Sequence, residues 1–488
     1  MVSSARIALA AAVGAVLLAG AGAAQAAAAG AGSGIRWGRA QEVPGLAALH
    51  TGHAVVSAVS CPRTGSCGAG GSYLDLSRHS HAWVVNMAGG RWGRAQEAPG
   101  TAALDKGGAA GIASVSCPSP GNCAAGGFYT DGSGHGQAFV ADEVHGHWHA
   151  AQEASGTAAL NQGGAARIVL VSCPSPGNCS AGGDYTDGSG HGQVFVASEV
   201  DGRWHAAQEV PGTAALNQGN SAGLYSVSCA SAGNCAAGGF YLGAFSTKYG
   251  VSAVDAFVVS ERDGRWSSAQ EVPGTRAPNV TGDARVLSVS CPSPRNCAAG
   301  GAYVVPADPD GAVVAFVVSQ RNGRWGKARQ VPGLPGPAVI NASGSVNSVS
   351  CASPGNCSAG GYYASGVNGA LYHAFVVSEK NGRWGKAEQV PGTASHVTWY
   401  NNQVSSVSCP SAGNCGVGGA YGNTEAFVAG QKNGRWHTAE QAPGTAALNL
   451  GGDAQVSSVS CPSAGICIAA GSYKDATGRT EAFVGGAR

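Results

Sequence analysis

"SVSCPSPGNCAAGG", residues 114–127, sets two cysteines six positions apart among Ser, Pro, Gly and Ala. Nearly the same phrase returns at 170–183, at 226–239 and five more times. The pairs are Cys61/Cys67, Cys117/Cys123, Cys173/Cys179, Cys229/Cys235, Cys291/Cys297, Cys351/Cys357, Cys409/Cys415 and Cys461/Cys467, so all 16 cysteines are used. Their first members lie 56, 56, 56, 62, 60, 58 and 52 residues apart, a period that marks a repeat architecture.

The unit around Cys291 shows what repeats. "ARVLSVSC" (284–291) is rich in β-branched residues and runs into the turn "PSPRN". "CAAGGAYV" (297–304) and "AVVAFVVSQ" (312–320) follow, then a tight "RNG" turn into "RWGKARQV" (324–331). That is four short strands per unit, each bounded by Gly, Pro, Asn or Asp, with no convincing helical period. A disulfide across the first hairpin would clip its base and fix its register. Zinc is the competing reading, but no second Cys or His pair recurs beside each first one to complete four ligands. Asn-Gly and Asp-Gly at 381–382, 263–264 and 201–202 suit two-residue I′ turns. The Trp after that turn (Trp92, Trp148, Trp204, Trp266, Trp325, Trp384, Trp436) and the Phe before it (Phe139, Phe195, Phe257, Phe316, Phe375, Phe427, Phe483) are expected to pack sheet against sheet. The small residues of the first two strands suit crowding near a central axis.

Radially repeated four-stranded units are β-propeller blades. "IRWGRAQEVPG" (35–45) is only a fourth strand, and the residues after 454 supply only the first three. Together they make one blade, where an open solenoid would carry polar caps instead. The expectation is an all-β, eight-bladed propeller over 35–488, four antiparallel strands per blade, closed by the N-terminal strand completing the last blade.

Arg6, the apolar run 7–18 and the small-x-small site at 24–26 read as a secretory signal peptide over 1–26, followed by a flexible linker at 27–34. Export implies an oxidising compartment and paired cysteines. No later segment approaches a membrane span in length. The net charge is +1, only 11% of residues are charged, and no Lys/Arg run occurs. Nucleic acid and anionic membranes are therefore not expected as partners.

The turns "SERDGRW" (260–266) and "SEKNGRW" (378–384) resemble the Asp-box turns of bacterial propellers such as sialidase-like proteins, with one residue fewer between Gly and Trp. The whole repeat resembles Cys-containing propeller repeats of secreted actinobacterial proteins. The resemblance implies a propeller fold and an extracellular address, and no activity.

In such a blade, "CPSPGNC" and "NGRW" lie on one face, and the loops between strands two and three and between blades lie on the other. The second set varies, from "TDGSGHGQ" (130–137) to "GNTEA" (422–426), and variable loops on a rigid scaffold are where binding is expected. "SHVTWYNNQ" (395–403) stands out there. Its His396, Trp399, Tyr400, Asn401 and Asn402 could stack a sugar ring and bond its hydroxyls, or form a local lid. Phe245, Tyr249 and Tyr372 are weaker candidates of the same kind. His147 and His149 share one side of a strand but lack a carboxylate partner, and "DPDG" (308–311) lacks the distal Glu of a calcium loop. The recurrent "AQE" (Gln96-Glu97, Gln152-Glu153, Gln208-Glu209, Gln270-Glu271) could join the Arg before each Trp in one ligand site per blade, or pair with it as a solvated edge. No catalytic constellation emerges, and no cofactor or metal is expected. Three functions remain: a secreted module binding glycans or another cell-surface polymer, a structural or protein-interaction scaffold at the cell surface, and a glycan-cleaving hydrolase or lyase.

Overall fold

The computed structural model describes residues 34–49, 52–246, 251–275, 282–305, 312–335, 343–365, 371–396, 402–422 and 424–486. The expected signal peptide and nearly all of the linker lie outside them. Eight antiparallel blades are arranged as a propeller. In the second blade, Gly111–Ser119, Asn122–Thr130 and Gly136–Val144 pair in sequence order. The fourth strand is split into His147–Trp148 and Gln152–Glu153, both paired to the third. The cause of the split is a bond to the neighbouring blade: Ala151 N–H donates to Pro99 O, 2.6 Å away, instead of to its own sheet.

That bond recurs at every seam. The N–H groups of Ala40, Ala95, Ala207, Ala269, Ala328, Ala387 and Ala439 donate likewise to Pro443, Pro44, Ser155, Pro211, Pro273, Pro332 and Pro391. The Pro-Gly that ends seven of the repeats, and the Ser155-Gly156 that ends the other, therefore also supply an acceptor. A second ring of bonds runs near the axis, where the first strands of successive blades adjoin. Cys117 N donates to Ser60 Oγ at 2.9 Å, and the same pairing joins Cys173 to Ser116, Cys229 to Ser172, Cys291 to Ser228, Cys351 to Ser290, Cys409 to Ser350, Cys461 to Ser408 and Cys61 to Ser460. The earlier Ser of each "SVSC" does the same for the next blade's Val, as Ser114 Oγ does for Val171 N at 3.1 Å. Ala58 and Leu170 stand where that hydroxyl would be.

The eighth blade joins both ends of the described chain. Ala40–Glu42 pairs antiparallel with Thr480–Gly485, as a fourth strand should. Arg36–Trp37 runs parallel to Ile466–Cys467 instead. Cys123 and Cys179 face Glu143 and Glu199 of their third strands, whereas Cys467 faces Trp37. The N-terminal segment thus fills the space that the distal third strand occupies elsewhere.

The cysteines pair as the spacing predicts: Cys61–Cys67, Cys117–Cys123, Cys173–Cys179, Cys229–Cys235, Cys291–Cys297, Cys351–Cys357, Cys409–Cys415 and Cys461–Cys467. All eight disulfides link first and second strands, with Cα atoms 3.9–4.1 Å apart. The Phe rings are buried between sheets, and Trp148 Nε1 donates back across a seam to Asn86 Oδ1 at 2.8 Å. The second Gly of each "GG" is sterically required. A β-carbon on Gly127 would stand 1.9 Å from Gly111 O, where the first strand bulges toward it. Among the described residues, no helix is long and apolar enough to cross a membrane.

Candidate functional site

Hydrogen bonds between turns separate two faces. Gly146 N donates to Gly121 O at 2.8 Å, joining the 1–2 and 3–4 turns on the uniform face. The positive φ of His145, Asp201, Asp263, Asn322, Asn381 and Asn433, each followed by a Gly also at positive φ, identifies the 3–4 turns as type I′. Gly136 N donates to Gly164 O at 2.9 Å, joining the 2–3 loop to the inter-blade loop on the other face.

On that second face, blades one, two, three and eight are less varied than their letters suggest. Asp131 Oδ1 accepts Ser133 N at 2.8 Å and His135 N at 3.0 Å, closing the 2–3 loop on itself. Asp75, Asp187 and Asp475 do the same. These backbone donors, chief among the hydrogen bonds that outweigh burial, hold the Asp75 carboxyl below its ordinary value. Short helices at Thr101–Leu104, Thr157–Leu160, Thr213–Leu216 and Thr445–Leu448 follow the fourth strands. Divergence is concentrated in blades four to seven.

The aromatic segment falls largely outside the described residues, which exclude Trp399, Tyr400 and Asn401, as well as Tyr249 and "DPDG" at 308–311. His396 ends a 3-10 turn, Ala394–His396. Asn402 is fully buried beside the first strand of blade seven. Phe245 is 62% exposed, and Tyr372 packs at a tilt against Tyr362 with ring centroids 5.3 Å apart.

A different group converges on this face, at the inner ends of blades two to four. Phe128 lies across Gly111 and Phe240 across Gly223, their cross-strand partners. A β-carbon on Gly223 would stand 2.4 Å from Phe240 Cε1, so glycine makes room for the flat ring. Tyr225 stacks on Phe240 at 5.6 Å. Arg285 sits over the Phe240 ring at 4.9 Å and donates to Tyr225 Oη at 3.1 Å, while Asp283 holds its other edge at 2.7 Å. Between Phe128 and the Tyr225–Phe240 pair lies blade three, where Arg167 Nε donates to Asp184 Oδ2 at 3.0 Å. Asp184 Oδ1 has no hydrogen-bond partner among the described residues. Burial pushes the Asp184 carboxyl up and Arg167 pulls it down, with burial the larger effect. Phe128, Arg167, Asp184, Tyr225 and Phe240 line a cleft of about 470 Å³, and Arg285 and Asp283 of blade five back its Tyr225–Phe240 wall.

Loop variability hid this cleft. Its members are strand residues: the position six before the first Cys (Arg167, Gly223), the bulge residue four before it (Tyr225), and the residue after "GG" (Phe128, Asp184, Phe240). Comparing the eight units column by column would have found them, because Val55, Ser57 and Ser72 hold the same columns in blade one.

Other motifs have structural partners. The "AQE" glutamates accept tyrosine hydroxyls of their own blades: Tyr129 to Glu153 and Tyr185 to Glu209, each at 3.2 Å. The hydrogen-bond partners of Glu153 and Glu209 are thus tyrosines of their own blades. On the uniform face, the residue facing each second cysteine is a buried Glu or Gln in most blades. Cys415 follows that pattern and faces Gln431, whereas Cys67 departs from it and faces Met87. Both Cys67 and Cys415 are buried and disulfide-bonded, so they serve their hairpins and not a ligand. Burial pushes Glu143 up to about 7. Burial, and then nearby Asp142 of the preceding blade, push Glu199 up to about 7. Glu143 accepts Asn86 Nδ2 at 2.7 Å, and Glu379 accepts Ser319 Oγ at 2.9 Å, so these acids latch blade to blade. Among the described residues, no group of three His, Cys, Asp or Glu could hold a metal ion.

No protein-family model and no curated protein matches this chain. Solved structures similar to it include a polysaccharide lyase, an ulvan lyase, at TM-score 0.44 and 12% identity, covering 75% of this chain and 90% of that one. The β-propeller domain of the trilobed protease from Pyrococcus furiosus gives TM-score 0.40 and 7% identity, covering 80% and 98%. A Hadza microbial sialidase gives TM-score 0.35 and 11% identity, covering 72% and 68%.

Proposed function

We propose that the protein is a secreted binding module that recognises a glycan or another cell-surface polymer through the face bearing the variable loops, with the cleft of blades two to four as its main subsite. The observation that carries this reading is the pair of aromatic walls, Phe128 and Tyr225–Phe240, flanking the Arg167–Asp184 ion pair in one cleft. Aromatic faces stack on the apolar faces of sugar rings, and a few fixed polar groups orient the hydroxyls. Asp184 is the single carboxylate among the cleft's lining residues, which favours binding over hydrolysis by paired acids. His396, Trp399, Tyr400 and Asn401 are proposed as a second group of ligand-binding residues, their aromatic and amide side chains being suited to a sugar ring. Residues 1–26 are proposed to direct export, in keeping with eight disulfides.

The test is binding of the oxidised mature protein to a panel of glycans and cell-wall polymers, with Phe240→Ala and Trp399→Ala beside it. Saturable binding that weakens about tenfold in Phe240→Ala is the expected result. Binding lost only in Trp399→Ala would move the site to that second group. No binding across the panel would reject the glycan reading in favour of a protein-interaction scaffold.

A further inference from the structure

The uniform face carries a charge pattern that local stability does not explain. In blades one and three to seven, the last residue of the third strand faces the Arg before the Trp of the fourth. In blades one and three these facing pairs are Ala88–Arg91 and Val200–Arg203. In blades four to seven they become Arg262–Arg265, Arg321–Arg324, Lys380–Arg383 and Lys432–Arg435. Like charges directly opposite each other in a sheet are destabilising, yet four consecutive blades repeat them, all exposed. The cations stand about one repeat apart in sequence, so no Lys/Arg run betrays them; the ring gathers them into an arc.

At one end of the arc, between blades four and five, lies a cleft of about 830 Å³ lined by Arg262, Arg265 and Arg295 with Ser267, Ser268 and Gln270. A β-carbon on Gly323 would stand 3.0 Å from Arg262 Nη2 and 3.1 Å from Arg295 Nε, so two guanidinium groups from different blades converge on one point. Asp263 is the exposed carboxylate of the cleft, and buried Glu261 accepts instead from Ser198 Oγ of blade three at 3.4 Å. Farther along the arc, Glu379 lies 3.9 Å from Arg321.

We propose that this arc binds an anionic polysaccharide, one whose carboxylate, sulfate or phosphate groups recur along the chain. Guanidinium groups present paired donors to such oxyanions, while Ser267, Ser268 and Gln270 offer partners for hydroxyls. Trp266, the aromatic residue of the cleft, is buried, so the stacking surface on which single-stranded nucleic acids depend is lacking there. The site lies on the face opposite the Phe240 cleft and is independent of it.

The test is titration of the oxidised mature protein with polygalacturonate, neutral dextran and mixed-sequence single-stranded DNA, at about 50 mM and about 300 mM NaCl. The variants are Arg262→Gln/Arg265→Gln/Arg295→Gln and, separately, Lys380→Gln/Arg383→Gln, with Phe240→Ala as the control for the other face; thermal melting checks that each folds. The expected result is binding of polygalacturonate but not dextran, weakened at least about tenfold by salt and by the triple substitution, less by the double one, and unchanged in Phe240→Ala. Absence of polygalacturonate binding at the lower salt, or full binding by the folded triple variant, would overturn the proposal. Tighter binding of the DNA would overturn the polysaccharide as occupant.

Discussion

Ser60 Oγ accepts the backbone N–H of Cys117 across the seam between the first two blades, 2.9 Å away. The bond explains why the residue before each first cysteine is serine in all eight units. The disulfide fixes a hairpin within a blade, and the adjoining serine ties that hairpin to the next blade. Ser172→Ala leaves Cys229 N without this acceptor and is expected to cost on the order of 1–2 kcal/mol. Chemical denaturation of the oxidised protein measures it, and a loss under about 0.5 kcal/mol would mean that the ring of serines is not a structural device.

Each disulfide closes a short loop, so its contribution is local. Cys173→Ser/Cys179→Ser is expected to lower stability by about 2 kcal/mol on the chain-entropy model. The seam bonds of neighbouring blades should survive, so the variant still folds as a β protein by far-UV circular dichroism. Thiol titration of the denatured, unreduced wild-type protein should find no free thiol.

Gly127 and Gly134 form a matched comparison. A β-carbon at Gly127 collides with Gly111 O, whereas at Gly134, in a loop with φ +81°, it meets nothing within 4 Å. Gly127→Ala is therefore expected to cost more than about 3 kcal/mol, and Gly134→Ala about 1 kcal/mol from its backbone conformation alone. Equal melting temperatures for the two variants would contradict the bulge geometry.

Glu143 and Glu199 make stability depend on pH. Each is held near 7, above its ordinary unfolded value, so the folded chain binds protons more tightly between about 4.5 and 7. Stability from these groups is greatest below that window and falls as pH rises through it. Glu143→Gln should stabilise the protein at pH 8 by on the order of 1–3 kcal/mol and flatten the slope, since a tenfold change in proton affinity is worth about 1.4 kcal/mol. Gln320 and Gln431, which face Cys297 of blade five and Cys415 of blade seven, show that the amide fits this position. Denaturation midpoints of wild type and variant from pH 5 to pH 8 are the check; parallel profiles would contradict the assignment.

The architecture was legible because it is written in local, repeated signals. Cysteine spacing, Asn-Gly and Asp-Gly turns, buried Phe and a detached "IRWGRAQE" strand each have one physical meaning. Three features were not legible, and each depends on residues distant in sequence. The fourth strand splits because Ala151 reaches Pro99 of another blade. Phe128, Asp184 and Phe240 occupy ordinary strand positions, and only the side-by-side packing of neighbouring blades brings them to one cleft. The cationic pairs of blades four to seven join into an arc only when the blades stand side by side. Trp399, the most conspicuous residue of the sequence, belongs to no repeated position, so repetition carries no information about its place.

The central claim, that a glycan is held by the inner cleft of blades two to four, is tested most directly by a crystal structure with the shortest oligosaccharide that the panel returns. The expected result is a sugar ring stacked on Phe128 or Phe240, with a hydroxyl hydrogen-bonded to the Arg167–Asp184 pair. A sugar bound elsewhere, with this cleft empty, would contradict it.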